Sequence, residues 1–505
     1  MQYLGKWRRD YQKNLAGTLR IYERVRIITF VSLPAVSDVD TYEKSAREKE
    51  AGTIHKSKSY LRVKHQVTIR YTHFGDYLVC DDGLLEIDDS TIEVLKQCDG
   101  CHTVEEIAEW VAEKEGEPME TVREELEHLL ATLLEEGVII YKDSLDPIDP
   151  IYGYDRPLSV IWEITYACNQ KCRYCIARAG RPDPDELSHE EIDTVLDELT
   201  ELKVGLINIT GGEPLMKRDT ALHIARRASN HGIELELLTN GTLVTPRVAR
   251  EFYDAGVQHA QVSLDCAQPD IHDRQRGVKG AWAKAVEGIE NLRNVGINVM
   301  AAAVMTSETL EYFEETRDFL KKIADTVKMS PVMPMGRGEN NSCLLTSEMY
   351  YKLLELRNTT EENQLFDYVF PKETCSIGTT PVIAPNGDVY PCMLTKYDEL
   401  KLGNVKKTSI RSIYENSDLL HELFDWNVDK VEPCSTCWNR YYCGGGCRGC
   451  AFAYHRTIYK NDPYQCTARK RFAKELLDRG YPLTRKKLKK LISLARKNPE
   501  KGYHS

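Results

Sequence analysis

Apolar residues recur with two different periods in the first third of the chain. Apolar and alternating runs cover Val67–Phe74, Tyr77–Cys80 and Leu84–Ile87, with turn residues between them, a pattern typical of short antiparallel strands. A later segment carries apolar residues at i, i+4, i+7, i+8 and i+11, the stripe of a core-facing helix. The stripe consists of Val122, Leu126, Leu129, Leu130 and Leu133. These patterns predict a small α+β domain over residues 65–143.

A regular alternation of strands and helices follows a linker rich in proline and aspartate at residues 144–157. Six apolar strand candidates are separated by amphipathic helical stretches, which predicts parallel β/α units. The candidates are Ser159–Thr165, Val204–Thr210, Glu234–Thr239, His259–Asp265, Asn298–Met305 and Val327–Pro331. In β/α barrels the chemistry lies at the carboxyl ends of the strands, so we expect functional residues directly after these runs.

Composition and charge narrow the class of protein. With 505 residues and 42% hydrophobic residues, the chain is long enough for two to four globular domains. A net charge of −11 argues against nucleic acid as a partner, and no apolar run is long enough to predict a membrane span. Residues 1–64 are interpreted as an extension of unknown role, and residues 471–505 as a basic helical tail.

Sixteen cysteines in a chain of this size do not indicate a small disulfide scaffold. Cys168, Cys172 and Cys175 have the spacing C-x3-C-x2-C, which can hold three irons of a [4Fe–4S] cluster and leave the fourth iron open. A structural zinc site is the alternative, although such sites usually use paired C-x2-C units and a fourth ligand. Iron–sulfur chemistry predicts a reducing compartment, the cytoplasm.

Two further motifs accompany this cysteine triplet. Tyr174 precedes the third cysteine, and Gly211-Gly212-Glu213-Pro214 follows the second predicted strand. Together these residues resemble the radical S-adenosylmethionine (SAM) enzymes. The resemblance implies a partial (β/α)6 barrel over residues 158–336, in which a cluster and SAM generate a 5′-deoxyadenosyl radical. It assigns no catalytic side chain.

The same resemblance implies a set of SAM contacts. The Gly-Gly pair would let the backbone approach the SAM amine, and the glutamate after it would be structural or a nearby polar partner. The run from Ser263 to Gly277 is similar to a motif of radical SAM peptide maturases, in which the serine and arginine contact the SAM carboxylate. A surface salt bridge is the alternative for the arginine. The implied set is Gly211, Gly212, Glu213, Asn240, Ser263 and Arg276.

A second cysteine array lies in residues 337–470 and resembles the SPASM domain of peptide-modifying radical SAM enzymes. The resemblance implies one or two auxiliary Fe–S clusters. The first group would be Cys375, Cys392 and Cys447, and the second Cys434, Cys437, Cys443 and Cys466. Cys450 would complete the first group; otherwise an iron there would be open to substrate.

The predicted α+β domain resembles the peptide-binding family founded by the peptide chaperone of pyrroloquinoline quinone biosynthesis. The resemblance rests on the strand triplet, Gln97–Gly100, the capping box that opens Thr103–Ile107 and the leucine-rich helix. In that family a leader peptide adds a strand to the sheet edge. A generic winged-helix-like domain is the alternative.

Three functions follow from these motifs. The first is a radical SAM oxidoreductase that crosslinks or decarboxylates a ribosomally made peptide or protein, with electrons from a donor such as flavodoxin or ferredoxin. The second is a tetrapyrrole side-chain-modifying enzyme, because segments such as Cys175–Gly180 and Gly445–Arg448 also resemble radical SAM enzymes of haem synthesis. The third is a non-enzymatic Fe–S electron carrier, which leaves the Gly-Gly-Glu-Pro motif unexplained.

Overall fold

The computed structural model divides the chain into two compact units, one ending at Gly153 and the other beginning at Tyr154. It describes residues 59–63, 68–72, 75–80, 83–135, 137–145, 147, 154–339, 342–358 and 375–478. Most of the predicted N-terminal extension and the end of the predicted basic tail lie outside these residues.

The described residues of the first unit form two small antiparallel sheets and three helices. One sheet has the order β2-β3-β4 and the other the order β5-β1-β6. The strands are β1 Tyr60–Val63, β2 Thr68–Thr72, β3 Gly75–Cys80, β4 Gly83–Ile87, β5 Asp99–Thr103 and β6 Ile139–Lys142. The helices are α1 Asp89–Gln97, α2 Val104–Glu115 and α3 Met119–Glu135.

The core of this unit matches the predicted helical stripe. All five stripe residues of α3 are at most 2% exposed, and they belong to one apolar cluster with residues of β1, α1 and α2. Thr103 caps α2 with the reciprocal hydrogen bonds of a capping box, as the sequence predicts. The α+β fold of this unit is therefore confirmed.

Two strands of the first unit were not predicted from the sequence. β1 lies before residue 65, where the predicted domain begins, and pairs with both β5 and β6. β5 covers Asp-Gly-Cys-His-Thr, a run without strand-forming apolar residues. Both are short, and tertiary pairing rather than local preference places them.

The second unit is built on six parallel strands that agree closely with the predicted runs. They are β7 Ser159–Glu163, β8 Leu206–Thr210, β9 Glu234–Thr239, β10 His259–Ser263, β11 Asn298–Met305 and β12 Thr326–Pro331. The helices that accompany them are α4 His189–Glu201, α5 Arg218–Asn230, α6 Pro246–Asp254, α7 Pro269–Arg276, α8 Ala281–Asn294 and α9 Phe313–Ile323. The strands pair in sequential order, as in the predicted partial barrel.

The C-terminal cysteine region extends the same sheet. β13 Val382–Ile383 pairs in parallel with β7, and β14 Asp388–Tyr390 and β15 Gly403–Asn404 follow as antiparallel neighbours. The remaining α-helices within the described ranges are α10 Ser347–Asn358, α11 Ile410–Asn416, α12 Asp418–Phe424, α13 Arg440–Cys443, α14 Arg448–His455 and α15 Pro463–Asp478.

An ion pair between Lys396 and Glu163 connects the C-terminal cysteine region to the end of β7. The Lys396 ammonium lies 2.6 and 2.7 Å from the two carboxylate oxygens of Glu163. The side chains are 13% and 7% exposed, respectively. The six-stranded sheet and the cysteine-rich region thus form one continuous structure.

The helices in the described ranges include none that is long and apolar enough to cross a bilayer.

Replacing Leu133 by alanine should destabilise the first unit, because its side chain is fully buried and such truncations cost about 2–5 kcal/mol. Hydrogen exchange of α3 amides in the full chain should accelerate at least about 30-fold, since 1.4 kcal/mol corresponds to a factor of ten. Leu145→Ala is the matched control, because Leu145 is 60% exposed. Equal exchange in both variants would contradict the assigned core.

Candidate functional site

The three-cysteine loop leaves the carboxyl end of β7, and Ala167 pairs with Gly180 across its base. Cys172 is buried, whereas Cys168 and Cys175 are partly exposed. Burial is the main cause that raises the pKa of Cys168 to about 11, and the nearby Glu213, Cys172 and Cys175 groups contribute to that rise. The three thiols therefore lie close enough to interact through their charges, as cluster ligands must.

The Gly-Gly-Glu-Pro turn packs directly on this loop. A Cβ at Gly211, where φ is +145°, would lie 2.3 Å from the Thr165 carbonyl oxygen, and one at Gly212 would lie 2.4 Å from that of Ala167. The Gly212 amide also donates to Thr165 at 2.7 Å. Both glycines are required by contact with the protein's own backbone, while their contact with the SAM amine stays a prediction.

Glu213 connects two strand ends through its side chain, while its contact with SAM stays a prediction. Its fully buried carboxylate accepts hydrogen bonds from the Thr239 hydroxyl at 2.8 Å and from the Asn240 amide at 2.8 Å, and a third from the Leu215 amide at 3.1 Å. Burial raises the pKa of this carboxyl above its usual value, although these hydrogen bonds oppose the shift. The carboxylate joins the end of β8 to the end of β9.

Asn240 extends the connection to the cysteine loop. Its side-chain amide donates to the Asn169 side-chain oxygen at 2.8 Å, and its own oxygen accepts from the Thr242 amide at 3.0 Å. Asn240 is thus brought to the three-cysteine loop. Ser263 ends β10 and is partly buried, and its role as a SAM contact stays a prediction.

Arg276 is committed to a buried ion pair rather than to a surface salt bridge. Its Nε and Nη2 donate to the two Asp265 carboxylate oxygens, each at 2.7 Å, and Nη1 lies 3.8 Å from the Cys172 sulfur. Burial alone would raise the Asp265 pKa, but Arg276 and His272 outweigh it and leave the pKa below its usual value. Tyr174 donates to the same carboxylate.

Arg337 is a loop contact that the sequence analysis missed. It follows β12, and its guanidinium donates to the backbone oxygens of Cys172 at 2.8 Å and Ala179 at 2.7 Å. A Cβ at the preceding Gly336 would lie 2.3 Å from the Cys175 carbonyl oxygen. The Gly-Arg-Gly run after the sixth predicted strand was the available signal.

The three-cysteine loop contains a buried hydrogen-bond donor that a bound group could use. Gln170 is 1% exposed, and its side-chain nitrogen has no hydrogen-bond partner in the part of the chain that the structure describes. Its side-chain oxygen lies 3.7 Å from the Cys172 sulfur. A buried donor beside three mutually interacting thiols fits an anionic iron–sulfur cluster with its SAM ligand.

The second predicted group of auxiliary cysteines lines one cavity. Cys434, Cys437, Cys443 and Cys466 share it with the fully buried Asn439. Neither polar side-chain atom of Asn439 has a partner within the described ranges. Burial is the main cause that raises the pKa of Cys434 to about 12, and the other three thiols contribute to that rise. Four converging thiols and an unpaired amide fit one cluster.

The thiols of the first group also interact electrostatically. Burial is the main cause that raises the pKa of Cys392 to about 12, and the Cys375 and Cys447 thiols contribute to that rise. The neighbouring Cys450 thiol lowers the Cys447 pKa by stabilising its thiolate. Cys450 is the third residue of α14, two positions after Arg448, and it is fully buried. Cys450 therefore lies beside Cys447 of the first group, and its role as a fourth ligand stays a prediction.

Three family models match parts of the chain. The Radical SAM superfamily model matches residues 162–320, and the model for the SPASM iron-sulfur cluster-binding domain matches residues 375–438. The model for coenzyme PQQ synthesis protein D (PqqD) matches residues 80–139. These ranges lie on the parallel sheet, the C-terminal cysteine region and the first unit, which confirms the three predicted domain types.

Characterised relatives fall into two chemical classes. The chain is 28% identical over 329 residues to the mycofactocin maturase MftC of Mycolicibacterium smegmatis, covering 59% of this chain and 80% of the relative. It is 28% identical over 349 residues to the AdoMet-dependent heme synthase of Oleidesulfovibrio alaskensis, covering 61% and 86%.

A solved structure shares the fold over most of the chain. Streptococcus suis SuiB bound to S-adenosylmethionine matches with a TM-score of 0.57 and 17% identity, covering 80% of this chain and 99% of that one. At this identity the match shows the fold alone, and it confirms the predicted α/β architecture.

Gly212→Ala should prevent the three-cysteine loop from assembling, because the added Cβ would lie under 3 Å from two backbone carbonyl oxygens. After anaerobic reconstitution, the iron content should fall by about four per chain, the content of one cubane cluster. Gly205→Ala is the matched control, since its Cβ would meet only the Leu158 carbonyl oxygen at 3.6 Å. Full iron content in Gly212→Ala would refute the packing argument.

Asp265→Asn should destabilise the second unit by about 3–5 kcal/mol, because it leaves the buried Arg276 guanidinium without its counter-charge. Denaturant unfolding followed by tryptophan fluorescence measures the loss. The double variant Asp265→Leu/Arg276→Met should lose less, since it removes both charges. Asp270→Asn, at an exposed position in the first turn of α7, is the control and should cost under about 1 kcal/mol.

The contribution of Asp265 to the stability of the second unit should decrease as the pH falls. Because folding lowers the Asp265 pKa, its contribution is present above the unfolded pKa of about 3.9 and is lost as the pH falls through the folded value. Asp265→Asn should therefore lose part of the acid sensitivity of unfolding. Unchanged acid sensitivity would show that folding does not lower the pKa of this carboxyl.

Proposed function

We propose that this chain, a radical SAM enzyme with a PqqD domain and a SPASM domain, oxidatively modifies a ribosomally made peptide or protein. The observation that carries the proposal is the presence of all three domain types in one polypeptide. A peptide-recognition domain has a direct use when the substrate is a peptide. Formation of a crosslink and decarboxylation both fit this assignment.

The first unit offers a place for such a peptide. In the β2-β3-β4 sheet, β3 is central and pairs with both neighbours, whereas β2 and β4 each have one partner among the described strands. An outer strand presents unpaired backbone groups to which an extended peptide can add as a further strand. Main-chain pairing of this kind would hold a leader segment with little dependence on its side chains.

The active site would be held by the residues around the three-cysteine loop. We assign Cys168, Cys172 and Cys175 as ligands of a [4Fe–4S] cluster which, with SAM, supplies a 5′-deoxyadenosyl radical. Arg276 and Arg337 fix the loop backbone and the Cys172 sulfur, and Glu213 fixes the turn beneath it. These contacts would orient the cofactor and exclude water, which is the protein's share of the chemistry.

The auxiliary groups suit an oxidative outcome. We assign Cys375, Cys392, Cys447 and Cys450 to one cluster and the four cavity-lining cysteines to the other. Auxiliary clusters can accept the electron left on a substrate radical. A one-electron donor such as flavodoxin or ferredoxin would reduce the SAM-binding cluster, and this chemistry places the enzyme in a reducing compartment such as the cytoplasm.

A tetrapyrrole substrate is the second candidate. It is favoured by the likeness to an AdoMet-dependent heme synthase over 61% of this chain, about the same share as the likeness to the peptide maturase. The PqqD domain would then serve in docking or regulation. The substrate itself distinguishes the two candidates.

The full-length reconstituted enzyme should modify a peptide encoded by a short reading frame beside its gene. Under anaerobic conditions with SAM and dithionite, we expect 5′-deoxyadenosine and a peptide of altered mass, such as a loss of two hydrogens for a crosslink. Peptide binding should also slow hydrogen exchange in β2 or β4, because an added strand pairs their free amides.

A scrambled peptide of the same composition is the control and should give neither mass change nor protection. A mass change of a propionate-bearing tetrapyrrole, with no peptide modified, would replace the peptide proposal by the second candidate. Absence of SAM cleavage in a sample with full iron content would favour an electron carrier.

A further inference from the structure

Arg448 is an unusual residue among the auxiliary cysteines. It is the first residue of α14, it directly follows Cys447 in the sequence, and it is 1% exposed. A buried guanidinium remains charged and needs compensation, because removing a charge from water costs several kcal/mol. The identity of its partners therefore indicates what the residue does.

The hydrogen bonds of Arg448 go to backbone carbonyls. Its Nη1 donates to Lys460 at 2.8 Å and to Ile458, and its Nη2 donates to Gly445 and more weakly to Gly446. Its Nε has no partner in the described part of the chain. Carbonyl oxygens are neutral acceptors, so these bonds orient the guanidinium without cancelling its charge.

The Asp462 carboxylate near Arg448 is hydrogen-bonded to other groups. Asp462 interacts electrostatically with Arg448, but within the ranges that the structure describes no salt bridge joins them. The Asp462 oxygens instead accept from the backbone amides of Cys447 at 3.0 Å and Tyr464 at 2.9 Å. The Trp426 ring lies 4.7 Å from the guanidinium carbon and contributes a modest cation–π attraction.

The guanidinium influences thiols of both groups of cysteines. Its charge acts on Cys375 of the first group and on Cys434 of the second. The Arg448 backbone also hydrogen bonds to the Cys375 sulfur. A Cβ at Gly445, in the wall of the second cavity, would lie 3.0 Å from Nη2. Arg448 thus reaches both groups from one buried position.

We propose that Arg448 is a buried cation shared by the two auxiliary clusters, and that its charge raises the reduction potentials of both. The proposal rests on the cluster assignments made above. Net charge and hydrogen bonds near the sulfurs set the potential of an Fe–S cluster. A nearby positive charge stabilises the reduced form, which carries one more negative charge, and Arg448 acts as a positioning residue rather than a catalytic one.

The test uses the full-length chain in which Cys168, Cys172 and Cys175 are replaced by alanine, so that only auxiliary clusters remain. Reconstituted protein should contain about eight irons, the content of two cubanes. Dithionite with mediators delivers one electron to each cluster, and no bond forms or breaks. EPR-monitored titration then gives the midpoint potentials, while iron analysis reports separately whether the clusters assemble.

Arg448→Gln should make reduction of both clusters at least about tenfold less favourable, a downward shift of about 59 mV for one electron. Arg448→Lys should retain most of the parent potential, because it keeps the positive charge. Lys474→Gln is the matched control: Lys474 is an exposed cation on α15 and is not among the residues that line the second cavity. Solvent screens its charge, so the shift should stay under about threefold.

The outcomes separate three cases. Unchanged reduction potentials in Arg448→Gln with full iron content would overturn the proposal. An equal fall of the potentials in Arg448→Lys and Arg448→Gln would also overturn it, because the effect would then belong to the carbonyl hydrogen bonds. If Arg448→Gln loses iron, the iron content of Arg448→Lys decides between two roles. Full iron content in Arg448→Lys would support a role for the positive charge. Loss of iron in Arg448→Lys as well would overturn the proposal and show that the residue is needed only for folding of the region. A parent protein without auxiliary iron would refute the cluster assignments instead.

Discussion

The close approach of backbone to backbone around the three-cysteine loop is the constraint on which the active region depends. The loop has little regular structure, so neighbouring segments must fix it. The turn after β8 contacts it at Gly211 and Gly212, and the turn after β12 contacts it at Gly336, at separations that admit no Cβ atom. Each contact comes from the carboxyl end of a different strand, so the position of the thiols depends on the register of the whole parallel sheet.

The second constraint is the burial of charged arginine side chains. The two cysteine regions compensate these buried charges in different ways. Beside Cys172, the Arg276 guanidinium is neutralised by a bidentate carboxylate, which makes a rigid pair of low net charge. Beside the auxiliary groups, Arg448 is held by carbonyl oxygens, which leave its charge available. The first arrangement suits the support of a loop, and the second suits the compensation of charge on a bound cluster.

Much of this organisation could be predicted from the sequence, because periodicity and spacing are local signals. The six parallel strands and the stripe of α3 agree with the structure, and the four cysteines of the second predicted group line one cavity. The strand Tyr60–Val63 could not be predicted, since it owes its conformation to distant partners. The roles of Arg276 and Arg337 were equally hidden, because a sequence does not show which carboxylate or carbonyl will lie beside a guanidinium.

The pairing of β13 with β7 has a consequence for synthesis of the chain. Ser159 and its hydrogen-bond partner Thr380 are separated by 221 positions, and ribosomes add about 5–20 residues per second. The β7 edge that receives β13 therefore stays unpaired for roughly 10–45 s after β7 is made. During this interval the nascent chain carries its first cysteine triplet but not the strand that completes the sheet. Such an open edge invites pairing with other chains, so the rate of translation sets how long each molecule is exposed to misassembly.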